Sequence, residues 1–397
     1  MIENRRTYFN KHFTNDAYQN MLNEIEYEFP NELDFRLAET PVFIDKKLGN
    51  QMKEVCEFII DFIKDPKFNL LTEKAVPSNE MVMNENKHPH FLAFDFGICE
   101  NEKGEYYPAL IEMQGFPTLF GFQAFYPSIL ENHFKIPSGF SNYFNGYEKN
   151  SYLNFLKDLI IGNEEKKHVI LLELKPENQK TRIDFKCTEK FLGIKTVCLT
   201  EIIQEGKKLY YNLNGKKTQI KRIYNRIIFD ELNSTKDKPQ NLPDLTVDIE
   251  VEWITHPNWF YKISKYTLPF LRHPEIPETF FLNEIKQLPH DLENYVLKPL
   301  FSFAGQGVII DLKESDLISI EDPHNWILQR KVKYADCIVT PDIPAKAEIR
   351  LMYVWKDEDE RPTLLTNLAR LSKGKMIGTR YNKDKEWVGG SVAYFEK

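Results

Sequence analysis

No stretch of this chain approaches the roughly 20 consecutive apolar residues that a membrane-spanning helix needs, so bilayer insertion is not expected. The opening residues, MIENRRTYFNKHF, carry charge without the apolar core of a signal peptide, and the chain reads as cytoplasmic. Cysteine is scarce: Cys56, Cys99, Cys187, Cys198 and Cys337 include no C-x-x-C pair. They read as reduced thiols, which excludes a disulfide frame or a zinc site. Excess positive charge is missing too. A net charge of −7 argues against a general nucleic-acid binder and for small-molecule chemistry. Repeats and low-complexity tracts are absent. What is present is an ordinary globular balance, 42% hydrophobic and 28% charged, with 29 Phe and 19 Tyr to fill a bulky core. At about 150 residues per domain, 397 residues suggest two or three domains.

Residues 1–70 read as mainly helical, with QMKEVCEFIIDFIKD (51–65) the clearest apolar stripe at helical spacing. FLAFDFGIC (91–99) and YYPALIEMQ (106–114) read as an antiparallel strand pair around the turn ENEKGEY, followed by an aromatic-rich helix over 118–133. A helix ending at Gly162, a strand at 168–174, a helical stretch and a strand at 195–199 then give the rhythm of a parallel α/β unit. Asn214-Gly215 marks a hairpin between two alternating runs, and 233–244 is a polar linker. Strands follow at 295–300, 308–312, 326–332, 347–355 and 363–371, a series suited to an antiparallel nucleotide-holding sheet.

Lys298 lies on an apolar strand just before a small-residue loop containing Ser302, Gly305, Gln306 and Gly307. Glycine, lacking a Cβ, lets backbone N–H groups approach an oxyanion, and a lysine alongside adds a full charge. Beside a phosphate about 4 Å away, that charge contributes on the order of 4 kcal/mol at an effective dielectric of about 20. By itself a G-x-G loop is a weak signal, and a hairpin turn with a solvated lysine is the plainer reading. Its neighbours point further. LKPLFSFAGQGV (297–308) resembles the lysine strand and phosphate-covering loop of ATP-grasp enzymes. ILQRKV (327–332) is similar to the strand linking their nucleotide lobes, with Gln329 at the adenine. AEIR (347–350) resembles the strand whose arginine, here Arg350, reaches the terminal phosphates. TNLAR (366–370) is similar to the segment that faces phosphate and acyl intermediate, here with Asn367 and Arg370. ISK (263–265) resembles the segment of the second nucleotide lysine, Lys265.

In that family, carboxylates hold Mg²⁺ across the phosphates, because phosphoryl transfer to a carboxylate gathers several negative charges at one point. The usual acidic residue and E-x-N after the phosphate-contacting arginine are not found here; the chain runs to GGSVAYFEK, with Glu396 alone. The 91–114 hairpin offers substitutes. Glu112 and Gln114 are two apart and share a strand face, and Asp95 reaches that face once the strands pair. Two carboxylates and an amide oxygen suit a hard cation. This segment resembles D-F … E-x-N-x-D-T-P-T of the glutathionylspermidine synthase family, circularly permuted ATP-grasp proteins whose metal carboxylates precede the nucleotide lysines. The resemblance covers roughly 90–397 and leaves 1–80 aside. The sequence departs from the family at Gln114 (Asn there), Ala93 (Arg there) and Phe116 (Asp there), and no amidase region is attached.

The resemblance implies a mixed α+β and α/β fold of circularly permuted ATP-grasp architecture. Residues 1–148 would form helices plus the metal hairpin, 149–262 a parallel α/β substrate-side subdomain, and 263–397 the antiparallel nucleotide lobes. It implies a ligase that joins a small-molecule carboxylate to an amine through an acyl phosphate. Lys265, Lys298, Ser302, Gly305, Gln306, Gly307, Gln329 and Asn367 would hold ATP. Asp95, Glu112 and Gln114 would hold Mg²⁺, and Arg350 and Arg370 would stabilise the transferring phosphoryl group. The alternatives are a nucleotide-binding relative without turnover, which Gln114 and Ala93 favour, and a small-molecule phosphotransferase. Arg226, a charge amid an apolar strand, suits either a substrate carboxylate or a pairing with Asp230 or Glu231. His256 and Asn258 read as a capped turn, Trp259 and Trp326 as core, Cys99 as a thiol with no activating histidine, and 373–375 as a solvated turn.

Overall fold

The computed structural model describes residues 2–229, 232, 242–301, 307–375, 377, 382 and 384–397. Its architecture is mixed α/β with several sheets. The helix Lys46–Lys64 forms where the apolar stripe predicts it, burying Met52, Val55, Cys56, Ile59, Ile60 and Ile63. Asp45 caps it, accepting a hydrogen bond from the Leu48 backbone N–H at 2.9 Å. Just before it, Val42–Ile44 pairs in parallel with Ala393–Glu396, so an early and a late segment share one small sheet.

The early hairpin is present as Phe91–Glu100 against Tyr106–Gln114, with an irregularity between Asp95 and Phe96. Its partners come from far along the chain. Phe91–Glu100 pairs antiparallel with Lys346–Val354, which pairs with Thr363–Ser372, which pairs with Gly389–Ser391. In the resulting five-stranded sheet, alternation sends Phe94, Phe96, Ile349 and Leu351 into the main core, together with the helix Lys46–Lys64. The opposite face carries Asp95, Glu112, Glu348, Arg350 and Arg370.

The strands expected as one series after residue 295 therefore divide. Tyr295–Pro299 and Trp326–Arg330 form a separate three-stranded lobe with Thr279–Phe281, Trp326–Arg330 lying in the middle. The run at 308–312 is not a strand; only Ile309 bridges back to Leu297. Between hairpin and lobe in sequence lies a four-stranded parallel sheet, ordered Glu252–Ile254, Arg222–Asn225, Val169–Glu173, Lys195–Cys198. The Asn214-Gly215 turn is made as its residue types require, both with positive φ (53° and 79°), joining Lys208–Leu213 to Lys216–Ile220. The second hairpin run ends at Ile220, and Arg222–Asn225 joins the parallel sheet instead. Most of the linker expected at 233–244 lies outside the described residues. Among the described residues, no helix is long and apolar enough to cross a membrane.

Candidate functional site

A cleft of about 390 Å³ opens between the three-stranded lobe and the polar face of the five-stranded sheet. The sheet contributes Glu112, Lys346, Glu348 and Arg370; the lobe contributes Lys298, Gln329 and Arg330; Lys265 closes one side. Two groups nearly two hundred positions apart thus share one space. Lys298 Nζ donates to the Gln329 Oε1 at 2.5 Å and to the Ile111 carbonyl at 3.4 Å, which ties the lobe to the hairpin directly. Gln329, itself buried, donates onward to the Thr279 hydroxyl at 3.2 Å.

Beneath the cleft lies a charged network set by strand register. Asp95 stands opposite Arg350 on one side and Glu112 on the other, and Glu348 stands opposite Arg370. Arg350 grips Asp95 with two bonds of 2.6 Å, through Nε and Nη2. Arg370 adds a third donor to Asp95 at 2.9 Å and also bonds Glu348. Such forked guanidinium–carboxylate pairs are the strongest side-chain hydrogen bonds available. Tyr334 donates to the second oxygen of Glu348 at 3.1 Å. It reaches there because Gly97 has no side chain: a Cβ at that position would lie 2.7 Å from the tyrosine ring.

The ionisation states follow from this arrangement. Burial opposes charge on Glu112, but Lys265, Arg370, Arg350 and Lys298 outweigh it and hold the carboxyl down at about 2. Burial pushes Lys298 down to about 8, with Glu112 resisting and Lys265 adding to the fall. Lys265 is lowered in the same way, chiefly by burial. Glu348 is raised, by burial first and then by Asp95 and Glu112, against the pull of Arg370 and Arg350. Among the described residues that line the cleft, seven are cationic (Lys265, Lys298, Arg330, Lys331, Lys346, Arg370, Lys375) and three are carboxylates (Glu112, Asp311, Glu348). An acidic chain has gathered a positive surplus around this cleft.

The sequence-derived candidates divide accordingly. Lys265, Lys298, Glu112, Gln329 and Arg370 line the cleft together. Asp95 is only 1% exposed, beneath the two guanidiniums, and Arg350 lies beside it. Gln114 does not line the cleft; its amide donates to Glu112 at 3.2 Å. Asn367 stands apart and corrects the reading of TNLAR as one phosphate-facing segment. Three positions from Arg370 on a strand, it points to the other face, where it bonds the backbone of Asn142 and Ala393. Gly307 turns with φ 73°, leading to Val308 in the cleft wall, while Ser302, Gly305 and Gln306 lie outside the described residues.

Arg226 pairs with Asp184, at 2.5 Å, in the parallel region; Asp230 and Glu231 lie outside the described residues. Asn258 bonds Val82 and Glu85, holding the 80–86 segment to the 256–262 turn. Sequence reading missed Glu348, Tyr334, Lys346 and Lys375. Glu348 was within reach: in AEIR it is two from Arg350, so one face had to carry both. Lys375 belongs to a stretch read as a solvated turn, yet it lines the cleft while pairing with Asp311 at 3.1 Å.

No protein-family model matches the chain, and a search of curated proteins finds no match. A solved structure does resemble it: a glutathione synthetase-like effector (GSS30) from Globodera pallida, in its apo form. The two superpose with a TM-score of 0.57 over 95% of this chain and 96% of that one, at 12% sequence identity. At that identity the likeness is one of fold, and it spans nearly the whole of both molecules.

Proposed function

We propose that this chain binds ATP in the cleft between the lobe and the five-stranded sheet and acts as an ATP-grasp ligase that joins a carboxylate to an amine. The observation that carries this reading is the convergence of Lys298 and Lys265 with the hairpin's Glu112 and with Arg370 on one cleft. The lobe supplies a hydrogen-bonding strand for a base, and the sheet supplies charge for phosphates. The solved neighbour's description as glutathione synthetase-like accords with the ligase class.

In the proposed reaction, a substrate carboxylate oxygen attacks the γ-phosphorus of ATP, the bond to the β-phosphate oxygen breaks, and ADP leaves. An amine then attacks the acyl carbon of the acyl phosphate, loses a proton and expels inorganic phosphate. Lys298, Lys265 and Arg370 offset the charge that gathers during transfer, and Arg350 fixes Asp95 and hence the strand that carries the site. Positioned charges of this kind supply most of what such a transfer requires.

Magnesium is where the resemblance and the geometry part. Both oxygens of Asp95 are taken by guanidiniums, and neither Asp95 nor Gln114 lines the cleft. Among the described residues, no group of three His, Cys, Asp or Glu is spaced to hold a metal ion. Of the expected trio, Glu112 alone lines the cleft.

A second reading, a nucleotide-binding relative without turnover, is favoured by that same commitment of Asp95. Calorimetric titration with ATP, followed by ADP release across a panel of acid and amine pairs, tests both. Saturable binding with amide formation supports the ligase. Binding without turnover selects the second reading, and no binding removes both.

A further inference from the structure

We infer that the cleft neutralises the nucleotide's phosphates with its own side chains, so that ATP binding at this site needs no divalent cation. The inference rests on the ATP reading given above and deepens it. It also reverses what the sequence resemblance implies for Asp95, Glu112 and Gln114.

Three observations carry it. The first is the fate of the carboxylates. Asp95 is bonded to both Arg350 and Arg370, and Glu348 to Arg370 and Tyr334. Asp95 is only 1% exposed and is held by guanidiniums at both oxygens, and turning it toward a metal ion in the cleft would strip Arg350, itself 6% exposed, of its two-bonded partner. The second is the setting of Glu112. It is the one member of the expected trio that lines the cleft, with a side chain 27% exposed, and the charged groups acting most strongly on it are four cations. A divalent ion there would be placed among Lys265, Lys298, Arg350 and Arg370, where repulsion works against it. The third is the surplus of cationic over acidic side chains around the same space. Free ATP carries more negative charge than its magnesium complex, and a site built of fixed cations favours the more highly charged form.

Glu112 then has a different part. It faces Lys265 and Lys298 and offsets their charge. Bound phosphates compete with it for the same cations, so Glu112 weakens nucleotide binding where a metal ligand would strengthen it.

The test is calorimetric titration of the full chain with ATP, in EDTA and in excess Mg²⁺, using wild type and Glu112→Gln. Glutamine keeps the shape of a partly exposed side chain, and thermal melts check that the variant is folded. The expected result is wild-type affinity in EDTA at least equal to that in Mg²⁺. Glu112→Gln should bind ATP roughly five- to tenfold tighter in EDTA, the effect of removing one unit charge from a partly solvated site. Inorganic tripolyphosphate should compete in EDTA. Affinity in EDTA tenfold or more below that in Mg²⁺, or weaker binding by Glu112→Gln, would overturn the inference and leave the ATP reading standing. Absence of ATP binding in both buffers would remove both.

Discussion

Arg226–Asp184 and Arg350–Asp95 are the same chemistry in two settings. In each, a guanidinium meets a carboxylate that is at most 1% exposed. Arg226 is closed in by the rings of Phe185 and Phe116, 5.0 and 5.9 Å away, and Asp184 also accepts the Phe122 backbone N–H at 2.8 Å. That pair is structural: although the buried Arg226 Nε finds no hydrogen-bond acceptor, Nη1 and Asp184 pin the helix Arg182–Leu192 to the start of the helix Phe122–His133 and to the parallel sheet. Arg350–Asp95 is one part of an open network that runs through Arg370 to Glu348 and Tyr334 in the cleft wall. Burial and pairing alone do not distinguish a strut from a site. Contact with a cavity and a surplus of one charge do.

Breaking the pairs separates them. Asp184→Asn should cost about 3 to 5 kcal/mol, because Arg226 is left buried and unpaired. Denaturant melts read that loss, and ATP affinity of the folded fraction should not change. Asp95→Asn should lose stability on a similar scale while metal-free ATP affinity rises, since two guanidiniums gain charge to offer. If both variants change affinity alike, the distinction between the pairs is wrong.

Lys298→Met sharpens the contrast from the other side. ATP affinity should fall at least tenfold, with little loss of stability, since a desolvated lysine contributes poorly to folding. The pH dependence should show the same opposition. Lys298 falls from the ordinary lysine value of 10.5 to about 8 in the folded protein. Between those values the unfolded chain binds the extra proton, so stability from this group rises with pH over about 8 to 10.5. ATP affinity should drop over the same range as the charge is lost. Subtracting the Lys298→Met profiles isolates both slopes; slopes of the same sign would refute the assignment. The smallest effect belongs to the rim. Lys375→Ala removes a side chain that is 70% exposed, and it should change ATP affinity by less than about threefold.

The sequence made local features legible and left the assembly hidden. The helix at 46–64, the 91–114 hairpin and the Asn214-Gly215 turn follow from apolar period and turn chemistry. Lys298 and Lys265 stand out by their company. What no local pattern carries is that Phe91–Glu100 pairs with Lys346–Val354, since that register joins strands some 250 positions apart. The strand run after 295 was therefore read as one sheet when it builds two. Asn367 was misplaced for a simpler reason: a motif was read as a unit where strand alternation separates its members. Glu348 was overlooked although the same alternation reveals it. Arg226's partner, Asp184, lies on a helix that the sequence does not connect to its strand.

Hydrogen exchange with and without ATP tests the shared cleft most directly. The account predicts simultaneous protection of the hairpin around Ile111–Gln114 and of the lobe around Val296–Lys298, segments whose contacting residues Ile111 and Lys298 are 187 positions apart. Protection confined to one of them, or falling on neither, would contradict it.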